Sequence, residues 1–386
     1  MDNEVYIIKC PDYGHVEEKL GDLMTMMGGI DNLLRPGEKI VLKVNLLSPR
    51  RPETAVTTHP AVIAAIAKMV KEAGATPLVA DSPGGFNHNR KTLLRFYEAC
   101  GLSSALEGLD VELNLDITHR TISYPEGRLI KRFEIITPVA EADCVFNLCK
   151  LKTHAFMHMT GAVKNSFGVI PGLLKAGYHA KLREKEHFAN MLLDLSEYVS
   201  PRISIMDAIM AMEGEGPGAS GVPRQVGLLL ASRNPLALDV VAGEIIGLRP
   251  EDNPVLMEAE KRGLYPTRIE DIRLSGAEVS DLRVPDYLLP RTIFDGTGFG
   301  SLSWWQKILS PLFKTGMSVR PLVKRDECTA CGTCRDACPV GAIRVLSESY
   351  AFIDEKKCVR CYCCHEMCPN KAIQLHESLL FRLVNK

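Results

Sequence analysis

Residues 328–339 read Cys-Thr-Ala-Cys-Gly-Thr-Cys-Arg-Asp-Ala-Cys-Pro, and the same cysteine spacing occurs again further along the chain. The second run consists of Cys358, Cys361, Cys364 and Cys368, followed by Pro369. Each run has the form C-x2-C-x2-C-x3-C-P. Ala342-Ile343 and Ala372-Ile373 stand at the same distance from their respective runs. The repeat therefore predicts two similar halves that pack as a pseudo-symmetric pair.

This doubled spacing is typical of bacterial two-cluster ferredoxins, in which the fourth cysteine of each run reaches across to the other 4Fe–4S cluster. The expected ligand sets are Cys328, Cys331, Cys334 and Cys368 for the first cluster, and Cys358, Cys361, Cys364 and Cys338 for the second. A zinc site would favour two C-x2-C pairs separated by about 12–20 residues. A disulfide framework would favour a small secreted chain. We expect two 4Fe–4S clusters, and no role for the additional thiol of Cys363.

The bulk composition narrows the possible functions. The chain has 386 residues with 46 basic and 47 acidic side chains, a formal net charge of −1, so nothing favours nucleic acid or an anionic membrane as a partner. No basic segment precedes the strand-like Val5-Tyr6-Ile7-Ile8, so no secretory signal is expected. Apolar runs such as 226–231 are far shorter than the roughly 20 residues of a membrane span. Thirteen cysteines predict a reducing cytoplasm and an anaerobic setting.

The first 290 residues alternate strand-like and helix-like segments. Residues 39–46 predict a buried strand, residues 62–73 follow a helical period that ends at Gly74, and residues 77–81 predict the next strand. Thr57 or Thr58 is expected to cap that helix ahead of Pro60. A strand–helix–strand unit of this kind favours a parallel sheet.

Further elements follow the same alternation. They are a strand at 144–150 that leads into a polar loop, an amphipathic helix around 188–198, strands at 203–207 and 226–231, and a helix from Asn234-Pro235 to Gly247. The predicted fold class is α/β, with a largely parallel sheet flanked by helices in a domain spanning 1–290. A linker (291–322), a small α+β two-cluster ferredoxin-like domain (323–377) and a tail (378–386) complete the predicted organisation. Trp304 and Trp305 of the linker are expected to pack it onto a domain, the alternative being a membrane-surface or partner patch.

Ligands of open α/β sheets bind beyond the carboxyl ends of the strands. The polar segments expected there are Asn45 with Ser48-Pro49-Arg50-Arg51, Asp81-Ser82-Pro83-Gly84, Lys150-Leu151-Lys152-Thr153-His154, Thr160 to Asn165, and Asp207 with Glu213 to Gly218. None is a phosphate-binding or dinucleotide-binding glycine motif in the required context.

Among these residues, Lys150, Lys152, His154 and Lys164 predict a cationic, proton-exchanging cluster suited to a phosphate or carboxylate. The acidic side chains Asp81, Asp207, Glu213 and Glu215 are candidate counter-charges, general bases or ligands of a hard metal. The glycine-rich segment 213–218 is either a flexible connection or a lid over a substrate.

Several of these motifs together resemble the prokaryotic domain-of-unknown-function family 362. They are Val41 to Leu47, Thr58-His59-Pro60, Asp81-Ser82-Pro83-Gly84, Lys150-Leu151-Lys152-Thr153-His154, Gly161-Ala162-Val163-Lys164-Asn165 and Asp207-Ala208-Ile209. Members often carry a C-terminal two-cluster ferredoxin module. The resemblance implies that module and names no reaction.

Residues 154–172 are also similar to a stretch of the nickel-pincer-nucleotide lactate racemases. That resemblance implies a histidine for proton or hydride chemistry at His154 and a cofactor-anchoring lysine at Lys164. It also places a nickel-binding histidine about one residue from His179. The second catalytic histidine of the racemases has no counterpart, and Asp81-Ser82-Pro83 stands roughly in its place. This departure argues against racemization, which needs a second acid–base group.

Three functions fit these patterns. The first is an oxidoreductase in which two 4Fe–4S clusters exchange electrons between a ferredoxin-like partner protein and an anionic small molecule or bound cofactor in the α/β domain. Its candidate catalytic residues are His154, Lys164, Asp81 and Asp207, and its candidate cofactor-binding residues are Lys150, Lys152, Asn165 and His179. The second is a non-catalytic electron-transfer subunit. The third is a cofactor-maturation factor.

Overall fold

The computed structural model of the protein describes residues 3–84, 89–294, 319–346 and 349–376. Residues 3–84 and 89–294 form the part that we call the α/β domain, and residues 319–346 and 349–376 form the part that we call the module. Trp304, Trp305 and the predicted tail at 378–386 lie outside the described residues. The predicted domain boundaries stay predictions.

The α/β domain contains eleven strands and ten α-helices within its described residues. The strands are β1 (Glu4–Lys9), β2 (Lys39–Lys43), β3 (Thr76–Ala80), β4 (Glu112–Leu113), β5 (His119–Ser123), β6 (Arg132–Ile136), β7 (Cys144–His154), β8 (His158–Thr160), β9 (Ile203–Gly214), β10 (Gly221–Ser232) and β11 (Arg273–Ser275). The helices are α1 (Val16–Met26), α2 (Pro60–Glu72), α3 (Arg90–Ala99), α4 (Leu102–Ala105), α5 (Thr137–Ala140), α6 (Ala162–Asn165), α7 (Gly172–Lys181), α8 (Lys185–Val199), α9 (Pro235–Ile246) and α10 (Pro254–Arg262).

One sheet organises this domain. Its strand order is β11-β1-β10-β9-β7-β2-β3-β4, with β8 paired to the end of β7. The pairs β11–β1, β9–β7, β7–β2, β2–β3 and β3–β4 are parallel, whereas β1–β10, β10–β9 and β7–β8 are antiparallel. The prediction of a largely parallel α/β sheet is confirmed.

Helices cover both faces of the sheet. Leu42 packs in a core with Leu20 of α1 and Ile66 of α2, while its neighbour Val41 packs in a second core with Leu192 of α8. Successive side chains of a strand point to opposite faces, so a strand buried on both sides reads as a continuous apolar run. This explains why residues 39–46 carry few polar side chains.

The start of α2 differs from the prediction. His59 caps the helix, because its Nδ1 accepts a hydrogen bond from the Ala61 amide at 3.2 Å. Thr58 cannot do so, since its hydroxyl accepts from the Asn45 amide at 3.0 Å and donates to the Leu148 carbonyl at 2.8 Å. The predicted Thr57 or Thr58 cap is therefore wrong. The predicted end at Gly74 agrees with the structure, where this residue has a φ of +80°.

The polar loop expected after residue 150 is also different. Strand β7 continues to His154, with all of its residues buried, and its end pairs with β8 through Lys152–Thr160 and His154–His158. Because strand side chains alternate, Lys150, Lys152 and His154 start from the same side of β7. A strand, rather than a loop, thus carries these three side chains.

The module is a small α+β unit, as predicted. Its elements are β12 (Arg320–Val323), α11 (Thr333–Asp336), β13 (Ile343–Leu346), β14 (Tyr350–Ile353), α12 (Cys363–Met367) and β15 (Ile373–His376). Strand β12 pairs with β15, and β13 pairs with β14, both antiparallel. Each cysteine run therefore contributes one short helix and one following strand, which agrees with the expected repeat.

Candidate functional site

The eight cysteines of the repeat lie around two separate cavities in the module. One cavity is lined by Cys328, Cys331, Cys334 and Cys368, and the other by Cys338, Cys358, Cys361 and Cys364. In each case the fourth cysteine of one run faces the cavity of the other run. The grouping is the one that the spacing predicts.

The surroundings of these cysteines suit iron–sulfur clusters. The Ala342 amide donates to the Cys338 sulfur at 3.2 Å, and the Ala351 amide donates to the Cys328 sulfur at 3.4 Å. Hydrogen bonds to sulfur and limited solvent exposure are the factors that adjust cluster potentials. Four thiols and an otherwise largely apolar wall, including Ile343 and Ile373, make each cavity a fitting site for a 4Fe–4S cluster.

A cleft of about 110 Å³ lies between the α/β domain and the module. Its polar wall in the α/β domain is formed by Asn45, Asp81, Ser82, His154, Lys164, Asn165, Lys175 and His179. Its wall in the module is formed by Ala337, Cys363, Glu366 and Met367. The cleft thus brings five of the predicted site residues together with side chains of the module: His154, Lys164, Asp81, Asn165 and His179.

His154 is a neutral hydrogen-bond donor toward this cleft. Its Nδ1 accepts from the amides of Phe156 at 3.0 Å and Met157 at 3.3 Å, so the ring proton is on Nε2. Burial, followed by the positive charge of Lys164, holds the pKa of His154 well below its usual range. Nε2 lies 3.3 Å from Oε1 of Glu366, a carboxyl group of the module.

Lys164 is held at the cleft by α6, whose start requires a glycine. The amides of Ala162 and Val163 donate to the Asp239 carboxylate at 2.5 and 3.1 Å. A Cβ atom on Gly161 would lie 2.0 Å from Asp239 Oδ1, so a larger residue cannot take that position without displacing the carboxylate. Within the described part of the chain, the Lys164 ammonium makes no hydrogen bond or ion pair, which leaves its donors available to a ligand.

Lys175 and His179, one helical turn apart on α7, form another side of the cleft. Lys175 donates to the Ser82 carbonyl and lies 5.8 Å from the Phe167 ring centre. Burial, opposed by Asp81 and assisted by Lys43 and Lys164, lowers its pKa to about 7. His179 stacks on Phe188, and its buried Nδ1 has no hydrogen-bond partner among the described residues.

The other polar side chains near the cleft form hydrogen bonds within the α/β domain. Asn165 accepts from Asn45 at 2.9 Å and donates to Asn147 at 2.7 Å. Lys152 donates to Asn45 Oδ1 at 2.7 Å and to the Val56 carbonyl at 2.6 Å. Lys152 does not line the cleft. It contacts the cleft wall through its hydrogen bond to Asn45, which does line it.

The two predicted catalytic carboxylates are also paired inside the protein. Asp81 forms a buried ion pair with Lys43 at 3.0 Å. Asp207 lies outside the cleft wall and forms a buried ion pair with Lys150 at 2.6 Å, across the β7–β9 register. Tyr13 donates to Asp207 at 3.0 Å as well. Lys150 therefore does not join His154 and Lys164 in the cleft wall, and Asp207 is its counter-charge, which is one of the roles predicted for this carboxylate.

The acidic residues for which metal ligation was one of three predicted roles form no metal site in the described part of the chain. In the four described ranges, no group of three or more His, Cys, Asp or Glu side chains is arranged to hold a single metal ion. Glu213 accepts from the Leu288 amide at 3.1 Å, and Glu215 accepts from the Arg291 amide at 3.1 Å.

The glycine-rich segment 213–218 contacts the module. His365 Nε2 lies 3.1 Å from the Glu215 carbonyl, and its Nδ1 lies 2.7 Å from the Ile373 carbonyl. A Cβ atom on Gly218 would lie 2.1 Å from the Glu366 carbonyl oxygen. The segment thus packs against α12 of the module. Neither predicted role, a flexible connection or a lid over a substrate, describes this contact.

Sequence patterns did not identify Lys175 or Glu366 as site residues, and they gave Cys363 no role. The signal for Lys175 is its four-residue spacing from His179, which puts both on one face of a helix. Glu366 and Cys363 could have been identified by their location between predicted ligand cysteines, which places them next to a cysteine cavity. Nothing local to residues 363–366 indicates the cleft, because the residues of its other wall, from Asn45 to His179, stand far earlier in the chain.

In the residues that the structure describes, no helix is long and apolar enough to span a bilayer. A thylakoid-associated protein of Synechocystis sp. is 36% identical to the chain over 298 residues, which cover 75% of this chain and 90% of that protein. The cytoplasmic location stays a prediction.

The apoprotein structure of lactate racemase from Thermoanaerobacterium thermosaccharolyticum shares 14% identity and a TM-score of 0.40, over 62% of this chain and 56% of that one. A likeness this distant carries no argument about the reaction. Residues 321–344 and 351–374 match the 4Fe-4S binding domain, so the module is of the iron–sulfur electron-transfer type. Residues 40–244 match the domain of unknown function DUF362, and the chain belongs to that family.

Proposed function

We propose that the protein is an iron–sulfur oxidoreductase that exchanges electrons with a small anionic molecule bound in the cleft between the α/β domain and the module. The observation that carries this proposal is the position of α12. Cys363, Glu366 and Met367 line the cleft, while Cys364 and Cys368 of the same segment line the two cysteine cavities. One short helix therefore separates the cleft from both cavities.

The proposed ligands are Cys328, Cys331, Cys334 and Cys368 for one cluster and Cys338, Cys358, Cys361 and Cys364 for the other. When bound there, 4Fe–4S clusters supply the transfer of single electrons. Cys331 is the exposed member of the eight, whereas Cys364 and Cys368 are buried beside the cleft. This difference favours an exchange of electrons with a partner protein at the Cys331 side.

The α/β domain supplies binding and proton donation. Lys164, whose donors are unoccupied, and the Lys175 ammonium attract an anion, since charge-assisted hydrogen bonds are stronger than neutral ones. His154 presents an N–H at Nε2 and is oriented by the two amides that bind its Nδ1. That N–H would donate a hydrogen bond that orients a reducible group bound here. The proton itself would come from the Lys175 ammonium, whose pKa is lowered to about 7.

The test uses protein purified anaerobically and reduced with dithionite, from which the excess reductant has been removed. Reoxidation of the visible absorbance is followed after addition of carboxylates that carry a carbonyl or C=C group, each of which takes up two electrons and two protons when reduced. We expect at least one carboxylate to accelerate reoxidation, and Lys164→Ala to abolish that acceleration. Reoxidation by ferricyanide, which needs no cleft, should be the same in both proteins.

Lys324→Ala is the matched control, because Lys324 is an exposed lysine of the module that pairs with Glu327. It should behave like the unmodified protein with every acceptor. If Lys164→Ala keeps the full carboxylate response, or if no anion changes the unmodified protein, the oxidoreductase proposal fails. A non-catalytic electron-transfer subunit then becomes the better description.

A further inference from the structure

Glu366 places a carboxyl group from the module inside the cationic part of the cleft. Its side chain is 9% exposed, and its Oε1 lies 3.3 Å from His154 Nε2. Among the described residues, that oxygen accepts no hydrogen bond of good geometry. A buried carboxyl oxygen without a well-formed hydrogen bond is costly, so its position calls for an explanation.

The groups around Glu366 are those of an anion-binding site. The protonated Nε2 of His154 lies 3.3 Å from the carboxyl group, and Lys164 has free donors on the same cleft wall. Glu366 is the main negative charge that opposes the lowering of the Lys164 pKa by burial. In the protein without a ligand, the carboxyl of Glu366 therefore takes the place next to His154 and Lys164 that a bound anion would need.

The backbone of Glu366 is held in place, whereas Oε1 of its side chain accepts no hydrogen bond of good geometry among the described residues. Gly218 packs directly against the Glu366 carbonyl, and the neighbouring His365 is fixed between the carbonyls of Glu215 and Ile373. A bound anion can thus displace the carboxyl by a change of side-chain rotamer, with the module still docked. The displaced carboxyl stays close to the cleft, where it repels a second negative charge.

We propose, resting on the function proposed above, that Glu366 is a specificity-determining residue. Its carboxyl holds the anion position of the empty cleft, gives way to the carboxylate of the ligand, and restricts the cleft to small monocarboxylates by repelling dianions. Specificity of this kind uses a repulsive element as well as an attractive one.

Isothermal titration calorimetry on the anaerobic, cluster-loaded full chain tests this, with propionate as the monoanion and malonate as the dianion. The unmodified protein should bind propionate more tightly than malonate. Glu366→Gln removes the competing charge at nearly constant shape, so both affinities should rise and the gain for malonate should be the larger, on the order of tenfold.

Two variants control the measurement. Glu327→Gln makes the same change in charge at an exposed position of the module and should leave both affinities unaltered. Glu366→Asp keeps the charge and should keep the preference for propionate. Iron is counted in every variant, and Glu366→Ala replaces Glu366→Gln if the latter loses iron.

The outcomes distinguish a failure of this inference from a failure of the proposed function. If the unmodified protein and the Glu366 variants bind neither probe, the anion-binding cleft itself is wrong, and the inference fails with it. If the unmodified protein binds propionate but the charge-removing variant keeps the same ratio of propionate to malonate affinity, only the role of Glu366 is overturned. Weaker propionate binding after Glu366→Gln would also overturn it.

Discussion

Gly218 and Glu366 are in backbone contact across the boundary between the α/β domain and the module, with the Cβ position of residue 218 only 2.1 Å from the Glu366 carbonyl oxygen. The contact joins the glycine-rich segment to the helix that carries Cys364. The precision with which the module is docked on the cleft therefore depends on the absence of a side chain at residue 218.

Gly218→Ala should loosen this docking. The added methyl overlaps backbone rather than a flexible side chain, and overpacking of this kind costs about 1–3 kcal/mol. Faster hydrogen–deuterium exchange in the peptide containing the His365 and Glu366 amides is the expected readout. Gly177→Ala is the control, because nothing lies within 4 Å of its Cβ position in α7. Equal exchange in the two variants would contradict the prediction.

Removal of single cysteines should distinguish ligands from the additional thiol. Cys368→Ser should lose one cluster, which is about four of about eight irons per chain. Cys363→Ser should keep the full iron content, because Cys363 faces the cleft rather than either cysteine cavity. Iron analysis and electron paramagnetic resonance of the reduced proteins measure both. Iron loss in Cys363→Ser would require a different ligand set.

Lys150 should contribute to folding stability, whereas Lys164 should contribute to anion binding. Lys150→Met leaves Asp207 buried without its ion-pair partner and should lower the free energy of unfolding by about 3–5 kcal/mol. Lys164→Met removes no hydrogen bond seen in the described residues, so its stability loss should be much smaller while anion binding is lost.

Denaturant unfolding and calorimetric titration check this pair. The double substitution Lys150→Met with Asp207→Leu should recover part of the lost stability, since no unpaired charge is then left in the interior. A large stability loss in Lys164→Met, comparable with that in Lys150→Met, would contradict the division between a structural and a ligand-binding lysine.

Anion affinity should decrease as the pH rises through neutrality. The pKa of Lys175 is lowered to about 7, first by burial, with Lys43 and Lys164 adding to the effect and Asp81 opposing it. The cationic form that attracts an anion therefore predominates only below about pH 7. Above it, one linked proton gives a loss of affinity approaching tenfold per pH unit.

Titration of Lys175 should have the opposite effect on stability, so that the free energy of unfolding rises with pH. Between pH 7 and about 10.4, the unfolded chain binds the Lys175 proton and the folded protein does not, so this group makes the unfolding free energy rise with pH. Lys175→Met should remove both slopes. Propionate titrations and urea unfolding from pH 6 to 9 measure them, and an unchanged affinity profile in Lys175→Met would assign the dependence to another group.

The α+β fold and the iron–sulfur type of the module could be predicted from sequence, because cluster ligation is encoded in the local spacing of cysteines. The α/β class followed equally from the alternation of apolar segments. The cleft was predicted only in part. The predicted residues His154, Lys164, Asp81, Asn165 and His179 do line it. The direct polar partners of Lys150 and Lys152, such as Asp207, Asn45 and Val56, are distant in sequence.

Those distant partners explain why a polar loop was wrongly predicted after residue 150. A run with two lysines and a histidine predicts a solvated loop, yet in β7 every one of these residues is buried. Burial of a lysine requires acceptors that come from other strands and loops. No pattern within 150–154 reports them. Glu366 was missed for the same reason, since its partner His154 precedes it by more than 200 residues.

The wall that α12 contributes to the cleft is built from the same segment that holds Cys364 and Cys368. A molecule that loses its iron, for example on exposure to oxygen, would lose the order of this segment and with it one side of the binding chamber. Such a damaged molecule could no longer pass on electrons and, if the proposed function holds, would also release its anion instead of sequestering it.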